Sequence, residues 1–158
     1  MVLDATDTAI LNVLQEEGRI TNADLAERVR LSPSACLRRT RALEDRGVID
    51  RYVALIDPEY IDRATTVFVE ITLTDQRETS LDAFEAAIAD YPQVMSCHLM
   101  SGEADYLIRL ACDGVGHYER IHRERLAILP GVARIRSSFA MRRVCDRTAY
   151  DLDQTPRP

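Results

Sequence analysis

The stretch Gly18 to Ile49, GRITNADLAERVRLSPSACLRRTRALEDRGVI, decides how the N-terminal part of this chain folds. Thr21 with Asp24 three residues on is a capping box, in which side-chain oxygens satisfy the partnerless N–H groups of a new helix. Leu25, Ala26 and Val29 then share one face. Ser32 followed by Pro33 starts a second helix, because serine caps and proline takes the first helical position, whose N–H has no partner in any case. Only Arg30 and Leu31 lie between, so the pattern is helix, tight turn, helix. Gly47 ends the second helix.

At about 100° per residue, Cys36, Thr40 and Leu43 fall on one side of that second helix and are expected in the core. Ser34, Arg38 and Arg41 point the other way. Hydroxyl and guanidinium groups there can reach base edges and phosphates in a major groove. Arg39 sits on the flank, where a guanidinium forks equally well onto phosphate or carboxylate: a DNA contact or a structural ion pair. Thr21, Ser32, Ser34, Arg38, Arg39 and Arg41 are therefore the candidate DNA-binding residues. The plain alternative is a solvated arginine face on an ordinary helical hairpin. Local charge argues against it: residues 28–51 hold seven arginines against Glu44, Asp45 and Asp50, while the whole chain carries −6. Such a protein is repelled by DNA everywhere except at its basic patch, which favours one docking orientation.

Working outward, Asp4 to Glu17 forms a first helix with Ile10, Leu11 and Leu14 as its apolar stripe and Gly18 past its end. Val48 to Asp57 reads as extended, a wing or linker strand, and Asp57-Pro58 marks a turn. From Thr65 the pattern becomes β: Val67, Val69, Ile71 and Leu73 alternate on one face. Ser80 is expected to cap a helix with Leu81, Phe84 and Ile88 inward, ended by Tyr91-Pro92. Val94 to Met100 and Asp105 to Ala111 are strands joined by a hairpin, Gly116 to Leu129 a helix, and Val132 to Arg142 the last strand. The order βαββαβ is ferredoxin-like, an antiparallel sheet with both helices on one face. The fold class is thus α+β: a helix-turn-helix, winged-helix-like domain over 1–50, an extended linker over 51–64, a ferredoxin-like domain over 65–145 and a polar tail over 146–158, frayed from Asp151.

Phe68 lies opposite Val67 and Val69, Val94 opposite Met95 and Leu99, and Leu107 opposite Ile108. Both sheet faces therefore read as substantially apolar, which predicts a homodimer covering the face the helices leave open.

Cys36, Cys97, Cys112 and Cys145 form no C-x-x-C pair, and His117 and His122 are not spaced to share a helical face, so no metal or redox site is expected. No apolar run approaches the roughly 20 residues that cross a bilayer, and the N-terminal residues show no basic segment followed by a hydrophobic one, so no membrane association is expected and the location expected is the cytoplasm. No nucleophile with a paired base and no phosphate loop is visible, so the chain does not read as an enzyme.

Several segments, in order, carry a resemblance: LDATDTAILNVLQEEGR (Leu3 to Arg19), LAERVRLSPSACLRRTRALEDRGVIDRYVALIDP (Leu25 to Pro58), SGEADYLIRL (Ser101 to Leu110) and LPGVARIRSSFAM (Leu129 to Met141). Together they resemble the Lrp/AsnC, or feast/famine, transcription regulators, with SPSACLRR similar to the leucine-responsive branch. The resemblance implies double-stranded DNA as partner, dimers that associate into octamers, a small amino-acid effector and no other cofactor. It also implies an effector site near the hairpin Ser101, Gly102, Glu103, Asp105 and Tyr106. There an amino acid would need backbone N–H groups for its carboxylate and an acceptor such as Asp105 for its ammonium. Alternatively, Gly102 only makes the turn and Asp105 caps backbone groups. The functional expectation is a sequence-specific, effector-modulated regulator. A nucleoid-type architectural protein with little ligand response is the alternative.

Overall fold

A computed structural model describes residues 3–152. The chain divides into two compact units, one of 1–55 with 144–158, the other of 56–143.

In the first unit, α1 (Ala5–Glu16), α2 (Asn22–Arg28) and α3 (Pro33–Asp45) enclose Ile10, Leu11, Leu25, Ala26, Cys36 and Leu43. Each fully buried aliphatic side chain contributes about 1.5–3 kcal/mol of transfer free energy. Every helix start has a capping side chain. Asp4 Oδ1 accepts the N–H groups of Thr6 at 2.9 Å and Asp7 at 2.7 Å. Thr21 Oγ1 accepts the Asp24 N–H at 3.2 Å and donates to the Asp24 carboxylate at 2.7 Å, so the expected box closes between side chains. Ser32 Oγ accepts the Ala35 N–H at 3.3 Å, with Pro33 at the first helical position.

Helices α2 and α3 end in the same Schellman arrangement. Leu31 N–H reaches the Ala26 carbonyl and Arg30 N–H that of Glu27; Val48 N–H reaches Leu43 and Gly47 N–H reaches Glu44. This double bond pattern requires a left-handed residue just past the helix. Residues 51–57 pair into no strand, and Val53, Leu55 and Ile56 are exposed along them. The tail also differs from expectation near its start. Tyr150 N–H donates to Gln15 Oε1 at 2.7 Å, Gln15 Nε2 donates back to the Tyr150 carbonyl at 3.2 Å, and Leu152 packs on the α1 cluster. An apolar side chain with an uncovered core edge in reach does not stay in water. The rest of the expected frayed segment, 153–158, lies outside the described residues.

The second unit runs from a 3-10 turn (Pro58–Ile61) through β1 (Thr65–Leu73), α4 (Glu78–Ala89), β2 (Val94–Leu99), β3 (Tyr106–Cys112), α5 (Val115–Glu124), a second 3-10 turn (Leu126–Ile128) and β4 (Val132–Phe139). The sheet order is β2-β3-β1-β4, all antiparallel, as a ferredoxin-like βαββαβ chain demands. Val67, Val69, Ile71, Ile108 and Leu110 pack with Phe84, Ile88, Tyr118, Ile121 and Leu126. Phe84 stacks on Tyr106 with ring centroids 4.4 Å apart.

Three local expectations change. Ser80 does not cap α4: the cap position is Arg77, and Ser80 Oγ donates to Asp75 at 2.7 Å from inside the first turn. The helix expected to reach Leu129 stops at Glu124 and resumes as the second 3-10 turn. Leu129 precedes Pro130 and is extended, because the proline ring disfavours helical geometry in the residue before it. In β2 the register slips between Val94 and Ser96, so Met95 is a bulge residue. One extra residue inverts the alternation: Val94, Cys97 and Leu99 pair with Leu110, Ile108 and Tyr106 and share the helix-covered face. The opposite face is therefore less apolar than expected. Phe68 and Leu107 stand there among Glu70, Arg109 and Arg136, the last reaching Glu70 at 3.7 Å.

Candidate DNA interface and ligand-binding domain

Helix α3 separates its residues as its periodicity requires. Cys36 and Leu43 are buried, while Ser34, Leu37, Arg38, Arg41, Ala42 and Asp45 line a shallow concavity of about 450 Å³ on the exposed side. The Ser34 hydroxyl lies 3.3 Å from that of Ser32 at the helix start, where N–H groups and the helix dipole favour an anion. Arg38 and Arg41 are exposed and, among the described residues, enter no ion pair, so their guanidinium groups present a full set of donors to solvent.

The other candidates on this unit make contacts within it. Thr21 and Ser32 spend their hydroxyls on capping. Arg39 Nη1 lies 2.7 Å from Asp4 Oδ2 and 2.7 Å from Asp7 Oδ1, with the Asp7 side chain 11% exposed. Of the two roles open to Arg39, the ion pair is the one this structure contains, a bridge between α3 and the start of α1. The backbone N–H of Asp7, followed by Arg39, holds the Asp4 carboxyl below the usual carboxylate range. Two positioning groups escape sequence reading: Asn22 Nδ2 donates to the Pro33 carbonyl at 2.9 Å, and the Tyr52 hydroxyl donates to Glu44 at 3.0 Å. Both join residues 8 to 11 apart with no periodic signature.

In the second unit the hairpin residues do not converge. Ser101, Gly102 and Glu103 are exposed, and Glu103 pairs with Arg134 at 2.9 Å. A Cβ on Gly102 would meet nothing within 4 Å. Asp105 is buried; one carboxylate oxygen accepts the Leu73 N–H at 2.7 Å and the other the Gln76 amide at 2.6 Å. Its oxygens accept from backbone and amide donors, clamping the hairpin to the end of β1, which is the backbone-capping role that stood beside the ammonium-acceptor reading. Tyr106 is buried and donates to Glu85 at 2.7 Å, and burial followed by that carboxylate pushes its hydroxyl above the ordinary tyrosine range. Tyr106 lines a cavity of about 460 Å³ between α4 and the edge strand β2. Glu85, Ile88, Val94, Ser96, Cys97 and Leu99 line it as well. No sequence motif marks this cavity, because Glu85 and Cys97 meet only through the packing of α4 on the sheet.

Residues 3–50 match the family described as winged helix-turn-helix DNA-binding, and residues 66–150 match the Lrp/AsnC ligand binding domain. The leucine-responsive regulatory protein of Escherichia coli is 42% identical over 142 residues, covering 90% of this chain and 87% of the relative. A transcriptional regulator of Neisseria meningitidis, solved as its L-Met complex, superposes with a TM-score of 0.91 at 36% identity, covering 96% of this chain and 98% of that one. An AsnC family regulator of Agrobacterium tumefaciens gives 0.91 at 34% identity with the same coverage. Among the described residues no helix is long and apolar enough to cross a membrane. A capped helix-turn-helix with a bare arginine face, followed by a ferredoxin-like domain that matches the family's ligand-binding domain, makes this chain a member of the Lrp/AsnC family of DNA-binding transcription regulators, which are not enzymes.

Proposed function

We propose that α3 is the recognition helix of a cytoplasmic homodimer, with Ser34, Arg38 and Arg41 reading and gripping the major groove of a two-fold-related site. The observation that carries this reading is the pair of exposed, unpaired guanidinium groups on α3 in an acidic chain. A dimer would bring two such helices to half-sites about one helical turn apart. The open sheet face around Phe68 and Leu107 supports self-association, and assembly to an octamer follows the family resemblance.

The second unit takes a small amino acid whose binding shifts DNA affinity or assembly, which requires different affinity for the two states. The L-Met complex of the Neisseria relative makes apolar amino acids the first class to test. The experiment is a thermal-shift screen against the twenty amino acids, since a ligand of the native state raises its melting point by mass action. It is followed by gel-shift titration with and without the hit. A hit that changes DNA affinity supports the reading. A protein that binds all duplexes alike and responds to none would be the architectural alternative.

A further inference from the structure

We propose that Arg39 is a positioning residue for DNA recognition: the Asp4–Arg39–Asp7 cluster sets the rotation of α3 about its axis, and Asp7, although acidic, strengthens specific DNA binding. This rests on the reading of α3 as the recognition helix.

Asp4 divides its carboxylate, giving Oδ1 to the cap of α1 and Oδ2 to Arg39. Asp7 is almost enclosed and bonds the same Arg39 nitrogen. A charge out of water needs a fixed partner, so Arg39 is held where the two carboxylates meet. Arg39 follows Arg38 directly and precedes Arg41 by two residues, so a rotation that moves Arg39 moves both groups proposed to touch DNA. With side-chain tips about 5–6 Å from the helix axis, a rotation of about 10–20° displaces them by about 1–2 Å. Binding groups must be held within about 0.5 Å. The Asn22–Pro33 bond fixes the start of α3, and Arg39 fixes its middle.

The alternative, Arg39 as a phosphate ligand, predicts the opposite sign at Asp7. Removing an acidic group beside a polyanion by itself strengthens binding. The positioning role predicts weakening. The test uses the full-length protein, a duplex selected by the wild type from a random library, and a scrambled duplex of the same composition. Fluorescence anisotropy is read over a salt series, well below each variant's melting midpoint. Expected is a loss of about tenfold or more for the selected duplex in both Asp7→Asn and Arg39→Met, no further loss in the double variant, a salt slope unchanged by Arg39→Met, and near wild-type affinity in Asp7→Glu, which keeps the pair. Scrambled duplex should be bound no more weakly by Asp7→Asn.

Unchanged or tighter selected binding by Asp7→Asn overturns the proposal, as does a salt slope that falls by about one in Arg39→Met, the mark of a lost phosphate contact. Arg38→Ala separates the two levels. If it weakens binding while Asp7→Asn does not, the recognition helix stands and the positioning role falls. If Arg38→Ala binds as the wild type does, the recognition-helix reading falls and takes this proposal with it.

Discussion

Arg30 and Gly47 occupy the same place in the same helix-ending motif, with φ of 56° and 67°. Each follows a helix of the head by two residues, and each sits between the two reverse bonds of a Schellman turn. Glycine adopts this left-handed geometry freely, whereas an L side chain pays about 1 kcal/mol for it.

Arg30→Gly is therefore expected to stabilise the head by about 0.5–1 kcal/mol, the relief of strain outweighing the added freedom of the unfolded chain. Gly47→Ala should destabilise it by about 1 kcal/mol. Urea unfolding followed by circular dichroism measures both. Equal midpoints in the two variants would contradict the argument.

Asp105→Ala strips a buried N–H of its acceptor. Leaving the Leu73 N–H without a partner, and freeing Gln76, should cost about 2–3 kcal/mol. Asp105→Asn, which keeps one carbonyl oxygen, should cost less. Thermal melts of the two variants test the order. If Asp105 instead served only a ligand, Asp105→Ala would melt like the wild type in the absence of effector.

Acid and alkali should act on different parts of the head. The carboxyl of Asp4 is depressed in the folded state, first by the Asp7 N–H and then by Arg39, so its contribution is present above the unfolded value of about 3.9 and fades as pH falls below it. The hydroxyl of Tyr52 is pushed up to about 12, first by burial and then by Glu44. Its contribution is complete below the unfolded value of about 10 and is lost as pH climbs towards 12. Melting midpoints of Asp4→Asn should be less acid-sensitive than those of the wild type as pH falls below about 4. Those of Tyr52→Phe should be less alkali-sensitive above about 10.

Cysteine reactivity should follow exposure. Cys145 is exposed, Cys36 and Cys112 are buried, and burial followed by Glu85 pushes the Cys97 thiol up to about 11. Since the thiolate is the reactive form, a disulfide reagent at neutral pH should titrate one thiol per chain quickly and the others only on unfolding. Loss of the fast phase in Cys145→Ser identifies it.

Much of the fold is legible in residues a few positions apart. Thr21, Ser32 and Gly47 mark helix ends because a cap acts on N–H and carbonyl groups within three to five residues. The strands of β1 and β3 are legible in strict alternation. Ser80 misleads because the local competitor, Asp75, takes its hydroxyl. Strand β2 misleads because a bulge at Met95 inverts its faces without a glycine to announce it.

What the sequence by itself determined is the element order, the α+β division and the arginine face of α3, since periodicity, capping and alternation are local properties. Tertiary structure alone decided which polar groups remain available. Arg38, Arg39 and Arg41 are the same residue type on the same helix, yet Arg39 is claimed by carboxylates 32 and 35 residues away. Asp105 is likewise claimed by donors 29 and 32 residues distant. A side chain's partner is set by distance after packing, and charge-assisted hydrogen bonds between groups far apart in the chain exist only once the core has brought their helices and strands together.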